Sequence, residues 1–155
     1  MATATQVDNT AVLQAALKKN PDVKTSSLLL AYQTIRQYSE QLIANLSAED
    51  CALQAADFVS PAKWHLAHTS WFFETFILLN ANPDYVVFND HFQVLFNSYY
   101  NGIGEQFPRP QRHLLSRPSL KDVLAYRRHV DAAMHALQGD VLAEKAELIT
   151  LGLNH

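Results

Sequence analysis

The sequence predicts an all-α fold, an antiparallel four-helix bundle with one long crossover connection. Apolar residues recur at steps of three and four along four segments, which is the spacing of one face of a helix. No stretch alternates between apolar and polar residues for long enough to predict a sheet. The chain has 155 residues, of which 48% are hydrophobic, so a single domain can bury a core.

The first bundle helix is predicted to begin at Ser26 or Ser27, because serine is a preferred helix cap, and to end near Leu46. Its apolar residues at helical spacing are Leu28, Tyr32, Ile35, Leu42 and Leu46. Before it, residues 1–24 are expected to form a flexible or short-helix arm. Within that arm, Asn9 to Asn20 has an amphipathic pattern that Pro21 should end.

A capping box from Ser47 to Asp50 predicts a short connector that carries Cys51. The second bundle helix should begin at Ser60 and Pro61, since serine caps a helix and proline fits its first position. The residues that follow at helical spacing are Trp64, His68, Trp71, Phe72, Thr75 and Leu79. This spacing places His68 in an aromatic stripe that faces the core.

Residues 80–118 form the predicted crossover, which combines many turn residues with many aromatic ones. We expect it to be packed, with Asp90 as the cap of a helix over His91 to Tyr100.

The third bundle helix is predicted to begin with a capping box at Ser119 and Asp122 and to end at Gly139. The fourth begins at Asp140 and shows no closing signal. We therefore expect a bundle over residues 25–155 that is truncated within its last helix. The basic run 127–129 is expected on an exposed helix face.

Charge and cysteine content exclude several classes of function. The net charge is -3 without a long run of either sign, so we expect neither a nucleic acid nor a membrane as partner. The most apolar stretch, Trp71 to Leu79, is far shorter than the roughly 20 residues of a membrane helix. The lone Cys51 cannot form an internal disulfide and should be inert, and a cytoplasmic location is the simplest expectation.

His68 has two interpretations. A histidine on an apolar stripe is more often a hydrogen-bonded core residue than a ligand. Helical bundles also build metal sites from inward residues of facing helices, and neutral imidazole suits zinc, iron, copper and nickel. His155 lies one position beyond the stripe of Leu148, Ile149 and Gly152, so it could face His68, or it could be a polar residue at a frayed end.

Three segments resemble the amino-terminal DinB-like domain of the ergothioneine-type sulfoxide synthases. They are SPAKWHLAHTSWFFETFIL, FNSYYNGIGEQFPRPQRHLLSRPSLKDVLAYRRHV and the terminal LGLNH. The resemblance runs from about residue 28 to the end. It implies a DinB-like four-helix bundle that holds non-haem Fe(II) with three histidines. Two of these would be His68 and His155, and the third would lie four residues beyond this chain.

The resemblance also implies a reaction. The enzyme would use O2 to join the thiol of cysteine or gamma-glutamylcysteine to the imidazole of N-alpha-trimethylhistidine (hercynine). Arg109 and Arg112 would hold the carboxylate of the thiol substrate, although on spacing alone they are solvated loop arginines. The family enzyme has a second, carboxy-terminal domain similar to formylglycine-generating enzyme, which supplies the catalytic tyrosine. This chain alone should therefore be inactive and carry no catalytic residue.

Two other classes of function are possible. A stand-alone DinB-like bundle could be a thiol transferase or hydrolase with zinc or nickel. A metal-free helical interaction module is the simplest alternative. An unfinished last helix could expose an apolar face and allow a homodimer.

The residues around the predicted ligands should form a wall. His65 lies about 60° around the helix from His68, so it should flank the site or be a surface residue. Trp64, Trp71 and Phe72 are core residues by pattern and could also exclude water around a metal.

Overall fold

The computed structural model describes residues 21–98, 102 and 104–155. The described residues contain helices and turns and no strand. The helices are α1 (Pro21–Gln41), α2 (Ala62–Phe73), α3 (Leu79–Ala81), α4 (Phe92–Leu95), α5 (Leu120–His135), α6 (Gly139–Glu144) and α7 (Ala146–Leu153). The predicted fold is confirmed: α1, α2 with α3, α5, and α6 with α7 form an antiparallel four-helix bundle with one long crossover.

Two capping boxes begin elements as predicted. The Ser119 hydroxyl accepts from the Asp122 backbone N–H at 3.2 Å, and the Asp122 carboxylate accepts from the Ser119 N–H at 2.9 Å. The same reciprocal bonds link Ser47 and Asp50, ahead of a short 3₁₀ turn at Asp50–Ala52. Each box satisfies backbone donors that a helix start leaves open, which is why local sequence predicts it.

The predicted bounds of α1 are wrong, and its predicted apolar face is confirmed only at Leu28 and Tyr32. Within the described residues the helix begins at Pro21, and proline in a first turn loses no needed donor. It ends at Gln41, after which Ile43 and Leu46 make i→i−3 bonds. Ile35, Leu42 and Leu46 are 41%, 64% and 44% exposed, because Tyr32 and Arg36 take the core-facing positions. The predicted arm over Asn9 to Asn20 lies outside the described residues.

Two further predicted helices have different bounds in the structure. The helix expected over His91 to Tyr100 is only the short α4, and its N-cap is His91 with no side-chain cap from Asp90. α5 ends at His135, so Gly139 begins α6 instead of ending the helix before it. In both places turn residues do interrupt the helices, as the sequence predicts. The residue at which each helix begins or ends depends on packing, which a local pattern does not contain.

The core lies between α2 and α5, which make the most extensive helix contact in the described chain. Tyr32 packs edge-on against Phe73 with ring centroids 4.8 Å apart, so α1 joins the same core. α2 continues through a π-helical turn at Glu74–Leu78 into α3. There the fully buried Glu74 carboxylate accepts hydrogen bonds from Tyr85 at 2.7 Å and Tyr126 at 2.6 Å. This carboxylate therefore fastens the crossover to α2 and α5.

Gly152 lets α7 approach α2 closely. A Cβ atom at this position would lie 2.7 Å from a carbon of the Phe72 ring and 2.8 Å from a carbon of the Phe73 ring. Only a glycine fits that gap without a shift of the aromatic core. The close approach brings the turn after Gly152, with His155, against α2. None of the helices in the described part of the chain is long and apolar enough to cross a bilayer.

Candidate metal centre

His68 points into the bundle from α2 and is 7% exposed. Its Nδ1 lies 2.6 Å from the carbonyl oxygen of Phe96. A carbonyl only accepts, so Nδ1 must carry the hydrogen and Nε2 of the neutral ring keeps its lone pair. Burial lowers the pKa of His68 to about 4, which favours that neutral ring. The backbone of the crossover therefore sets the tautomer in which Nε2 can bind a metal ion.

His155 faces His68 from the end of α7. Its Nε2 lies 2.8 Å from Nε2 of His68, and its ring stacks on Phe72 with centroids 5.1 Å apart. Partial burial lowers the pKa of His155 as well. The two imidazoles that the sequence singled out thus converge in space.

The distance between the two Nε2 atoms, 2.8 Å, is that of a hydrogen bond. Two imidazole nitrogens that bind zinc at about 2.0–2.1 Å with a tetrahedral angle lie about 3.3 Å apart, so the rings would have to separate by roughly 0.5 Å to hold one ion. Without an ion, the pair would need His155 to donate from Nε2 to His68. The donor set is incomplete: no group of three His, Cys, Asp or Glu side chains able to hold a metal occurs among the residues that the structure describes. The ligand roles of His68 and His155 therefore stay a prediction.

Aromatic rings enclose the His68 imidazole. Trp64 stacks on it with centroids 4.6 Å apart and Trp71 with centroids 5.5 Å apart. The Trp64 indole N–H donates to the carbonyl of Leu95 at 2.9 Å, one residue before the carbonyl that holds His68. Trp64, Trp71 and Phe72 are at most 3% exposed. They form the packed wall that their spacing suggested, and what this wall does for a metal is untested.

A cavity of about 340 Å³ opens beside the imidazole pair. His65 is exposed and lines this cavity together with both imidazoles, Arg109 and Arg112. Although part of its surface is exposed, neighbouring residues desolvate the ring, and this desolvation, followed by the charges of Arg112 and Arg109, lowers the pKa of His65. Its place beside the pair agrees with a flanking position.

The two predicted arginines differ in their surroundings. Arg112 is 1% exposed, its guanidinium carbon lies 3.5 Å from the centre of the Trp64 ring, and Nη1 donates to Ser60 at 2.6 Å. Arg109 is half-buried, and its hydrogen bonds to the Phe58 carbonyl and the Ser98 hydroxyl are long, 3.3 and 3.4 Å. Arg112 is thus part of the wall, whereas Arg109 lies at the cavity with weaker partners.

Ser60 is not the helix cap that the sequence predicted. α2 begins at Ala62 with Pro61 as its N-cap, and the Ser60 hydroxyl accepts from Arg112 instead. The sequence did not predict the roles of the Leu95 and Phe96 carbonyls, because a backbone acceptor leaves no residue-type signal.

Arg127 was expected in solvent but is fully buried between α1, α2 and α5. Cys51 is buried, and burial raises the pKa of its thiol.

Comparison with known proteins identifies the family. A family model described as the DinB superfamily matches residues 31–150, which covers more than half of the chain. The matched region contains His68, Arg109 and Arg112 and ends before His155. A search of curated proteins finds no match. Together with the helical fold, the match shows that the chain belongs to the DinB superfamily.

Proposed function

We propose that this chain is the metal-binding domain of a non-haem iron sulfoxide synthase, with His68 and His155 as ligands of Fe(II). The observation that carries the proposal is the convergence of the two Nε2 atoms at 2.8 Å, with the tautomer of His68 set by the Phe96 carbonyl. The DinB superfamily is a metal-binding helical superfamily, which supports a metal at this place. The choice of iron rests on the resemblance of the WHLAH, PRPQR and LGLNH segments to the synthases.

The chain's own residues have distinct tasks in this proposal. Bound Fe(II) would supply redox chemistry with dioxygen as the oxidant and favour the thiolate form of a substrate thiol. The Phe96 carbonyl holds the hydrogen of His68 on Nδ1, which keeps Nε2 available. Trp64 and Trp71 exclude water from the ring. The catalytic residue would come from a further domain, as the resemblance implies.

Arg109 is the group proposed to bind the substrate carboxylate. A carboxylate in the cavity could form charge-assisted hydrogen bonds with this guanidinium that are shorter than its 3.3 and 3.4 Å bonds to Phe58 and Ser98. Arg112 would instead hold Trp64 and Ser60 in place, because its guanidinium lies over one and donates to the other. The substrate is accordingly a small anionic thiol, cysteine or gamma-glutamylcysteine, with hercynine as the second reactant.

Metal titration tests the ligand set. Calorimetry with Fe(II) under anaerobic conditions should give one ion per chain, and His68→Ala or His155→Ala should weaken binding on the order of 100-fold. The matched control is His135→Ala, because His135 is exposed and does not line the cavity beside the imidazole pair. Equal loss in all three variants would contradict the proposal.

A stand-alone thiol transferase or hydrolase with zinc or nickel is the second candidate. It rests on the family match, which assigns a metal-binding DinB bundle and no particular reaction. Visible spectra of the chain loaded with Co(II) distinguish the two. The synthase proposal predicts that hercynine and gamma-glutamylcysteine each change the spectrum, whereas a thiol transferase should respond to the thiol only.

A further inference from the structure

A second, larger cavity lies on the crossover side of the bundle. Its volume is about 610 Å³, and it shares no lining residue with the cavity beside the imidazoles. The apolar part of its lining consists of Phe88, Phe92, Val94, Leu95 and Pro118. A cavity of this size and composition is typical of sites for small, largely apolar molecules.

One cation dominates the polar rim of this cavity. Arg117 is exposed, and its guanidinium forms neither a hydrogen bond nor an ion pair within 4.0 Å in the described ranges, although its charge acts on the Asp122 carboxylate in the same rim. The only acidic residue of the rim, Asp122, is committed to the helix cap: its Oδ2 accepts from the Ser119 N–H at 2.9 Å and from the Ser119 hydroxyl at 2.7 Å. The remaining polar residues of the rim, His91 and Asn89, carry no negative charge.

Both walls of this cavity are anchored to α2 next to the imidazole pair. On one wall, the carbonyl of Leu95 accepts from the Trp64 indole, and the next carbonyl, that of Phe96, holds His68. On the other wall, the carbonyl of Pro118 accepts from Lys63 Nζ at 3.2 Å. Lys63 is 6% exposed, and its ammonium group donates to backbone carbonyls only. A molecule between these walls would press on the backbone that orients Trp64 and His68.

We propose that this cavity binds a small apolar molecule with one carboxylate, whose chain lies on Phe92, Val94 and Leu95 and whose carboxylate pairs with Arg117. Guanidinium and carboxylate match as a planar, two-bond pair, and the apolar floor gains from burying hydrocarbon. Binding there is coupled to the imidazole pair through the carbonyls of Leu95 and Phe96. The site does not depend on which metal, if any, the imidazoles hold.

Decanoate and decanol are the test ligands, because they share a chain and differ in charge. Calorimetry should show one decanoate per chain and weaker binding of decanol. The chain has two tryptophans, Trp64 and Trp71, and both stack on His68, so tryptophan emission reports the coupling. Decanoate should change that emission with the same midpoint as the calorimetric titration.

Variants separate the charge from the apolar floor. Arg117→Gln should weaken decanoate on the order of tenfold and leave decanol unchanged, because only the carboxylate pairs with the guanidinium. Val94→Glu should weaken both ligands. The control Arg128→Gln, at an exposed position of α5 that does not line the cavity, should change neither.

The proposal is overturned if Arg117→Gln and Arg128→Gln affect decanoate equally, or if Val94→Glu leaves both ligands bound. Calorimetric binding with unchanged tryptophan emission would overturn the coupling to His68. Neither result depends on iron, so failure here is distinguishable from failure of the proposed synthase function.

Discussion

Two polar clusters involve side chains of α2, and they differ in which atoms face each other. In the first, which we call the arginine network, Arg127 donates from Nε to Glu40, from Nη1 to Leu66 and Thr69, and from Nη2 to Arg36 and Ser39. Every N–H of that guanidinium has an acceptor. In the second cluster, the imidazole pair, two Nε2 atoms face each other beside a cavity.

The comparison teaches that buried polarity alone does not mark a ligand site. The Arg127 guanidinium has no N–H left for a ligand, so its role is to hold α1, α2 and α5 together. The imidazole pair brings together two nitrogens that share one hydrogen, and a metal ion could take the place of that hydrogen. Both clusters border a cavity, so the chemistry of the facing atoms is the better indicator of function.

Removal of Arg127 should have the largest effect on stability. Arg127→Met keeps much of the volume but removes every hydrogen bond by which the guanidinium joins α5 to α1 and α2. At about 1 kcal/mol for each bond, we expect the free energy of unfolding to fall by about 3–5 kcal/mol. Urea unfolding measures this loss. The control Arg128→Met, on the exposed face of the same helix, should stay within about 0.5 kcal/mol. Similar losses in the two variants would show that the network is not what holds the helices.

Acid should destabilise the metal-free chain through the imidazole pair and not through the arginine network. Burial lowers the pKa of His68 to about 4, so between about pH 6.5 and pH 4 the unfolded chain binds a proton that the folded chain refuses. Stability should therefore fall as the pH drops through this window, by up to about 3 kcal/mol from His68. The pKa of Arg127, although lowered to about 10 by burial, leaves that group charged throughout.

Urea titrations across this pH range test that expectation. A His68→Gln variant should lose most of the slope between pH 6.5 and pH 4. An unchanged slope in that variant would assign the acid sensitivity to other groups.

A side chain that fills the gap at Gly152 should have an intermediate effect on stability. Gly152→Ala places a methyl group 2.7 Å from the Phe72 ring, so α7 must move away from α2, at a cost of about 1–3 kcal/mol. Because His155 follows in the next turn, metal affinity should fall as well. Gly139→Ala is the matched control, since nothing lies within 4 Å of a methyl group there. Thermal unfolding measures the stability of both variants, and calorimetry measures their metal affinity. An unchanged metal affinity in Gly152→Ala would show that the packing of α7 against α2 does not position the metal ligands.

Replacement of Arg109 or Arg112 by lysine should have the smallest effects on stability, and the two variants should distinguish the roles of these residues. Arg112→Lys removes the planar stack on Trp64 and should cost about 1 kcal/mol of stability. Arg109→Lys should leave stability within about 0.5 kcal/mol and weaken binding of gamma-glutamylcysteine to the metal-loaded chain. If Arg109→Lys lowered stability and Arg112→Lys weakened substrate binding, then Arg112 and not Arg109 would be the substrate-binding residue.

Short sequence patterns predicted the parts of the fold that form through bonds between residues close together in the chain. The capping boxes at Ser47 and Ser119 and the inward position of His68 follow from spacings of three and four residues. Long-range partners decided the rest. Ser60 bonds to Arg112, 52 positions away, and so does not cap α2.

The same limit applies to charged residues in the core. Arg36 and Arg127 can be buried because acceptors on two other helices bind each guanidinium, and no periodicity shows which helices will meet. The carbonyls that orient Trp64 and His68 belong to a crossover whose path depends on packing. The sequence could therefore point to His68 and His155 and could not predict what positions them.

The most direct test of the central claim is nuclear magnetic resonance of the chain with ¹⁵N-labelled histidine and ¹¹³Cd as the bound metal. We expect ¹¹³Cd–¹⁵N couplings from Nε2 of both His68 and His155 to one ion, with the hydrogen of His68 on Nδ1. Coupling to only one of these residues, or to Nδ1 of His68, would contradict a shared metal site.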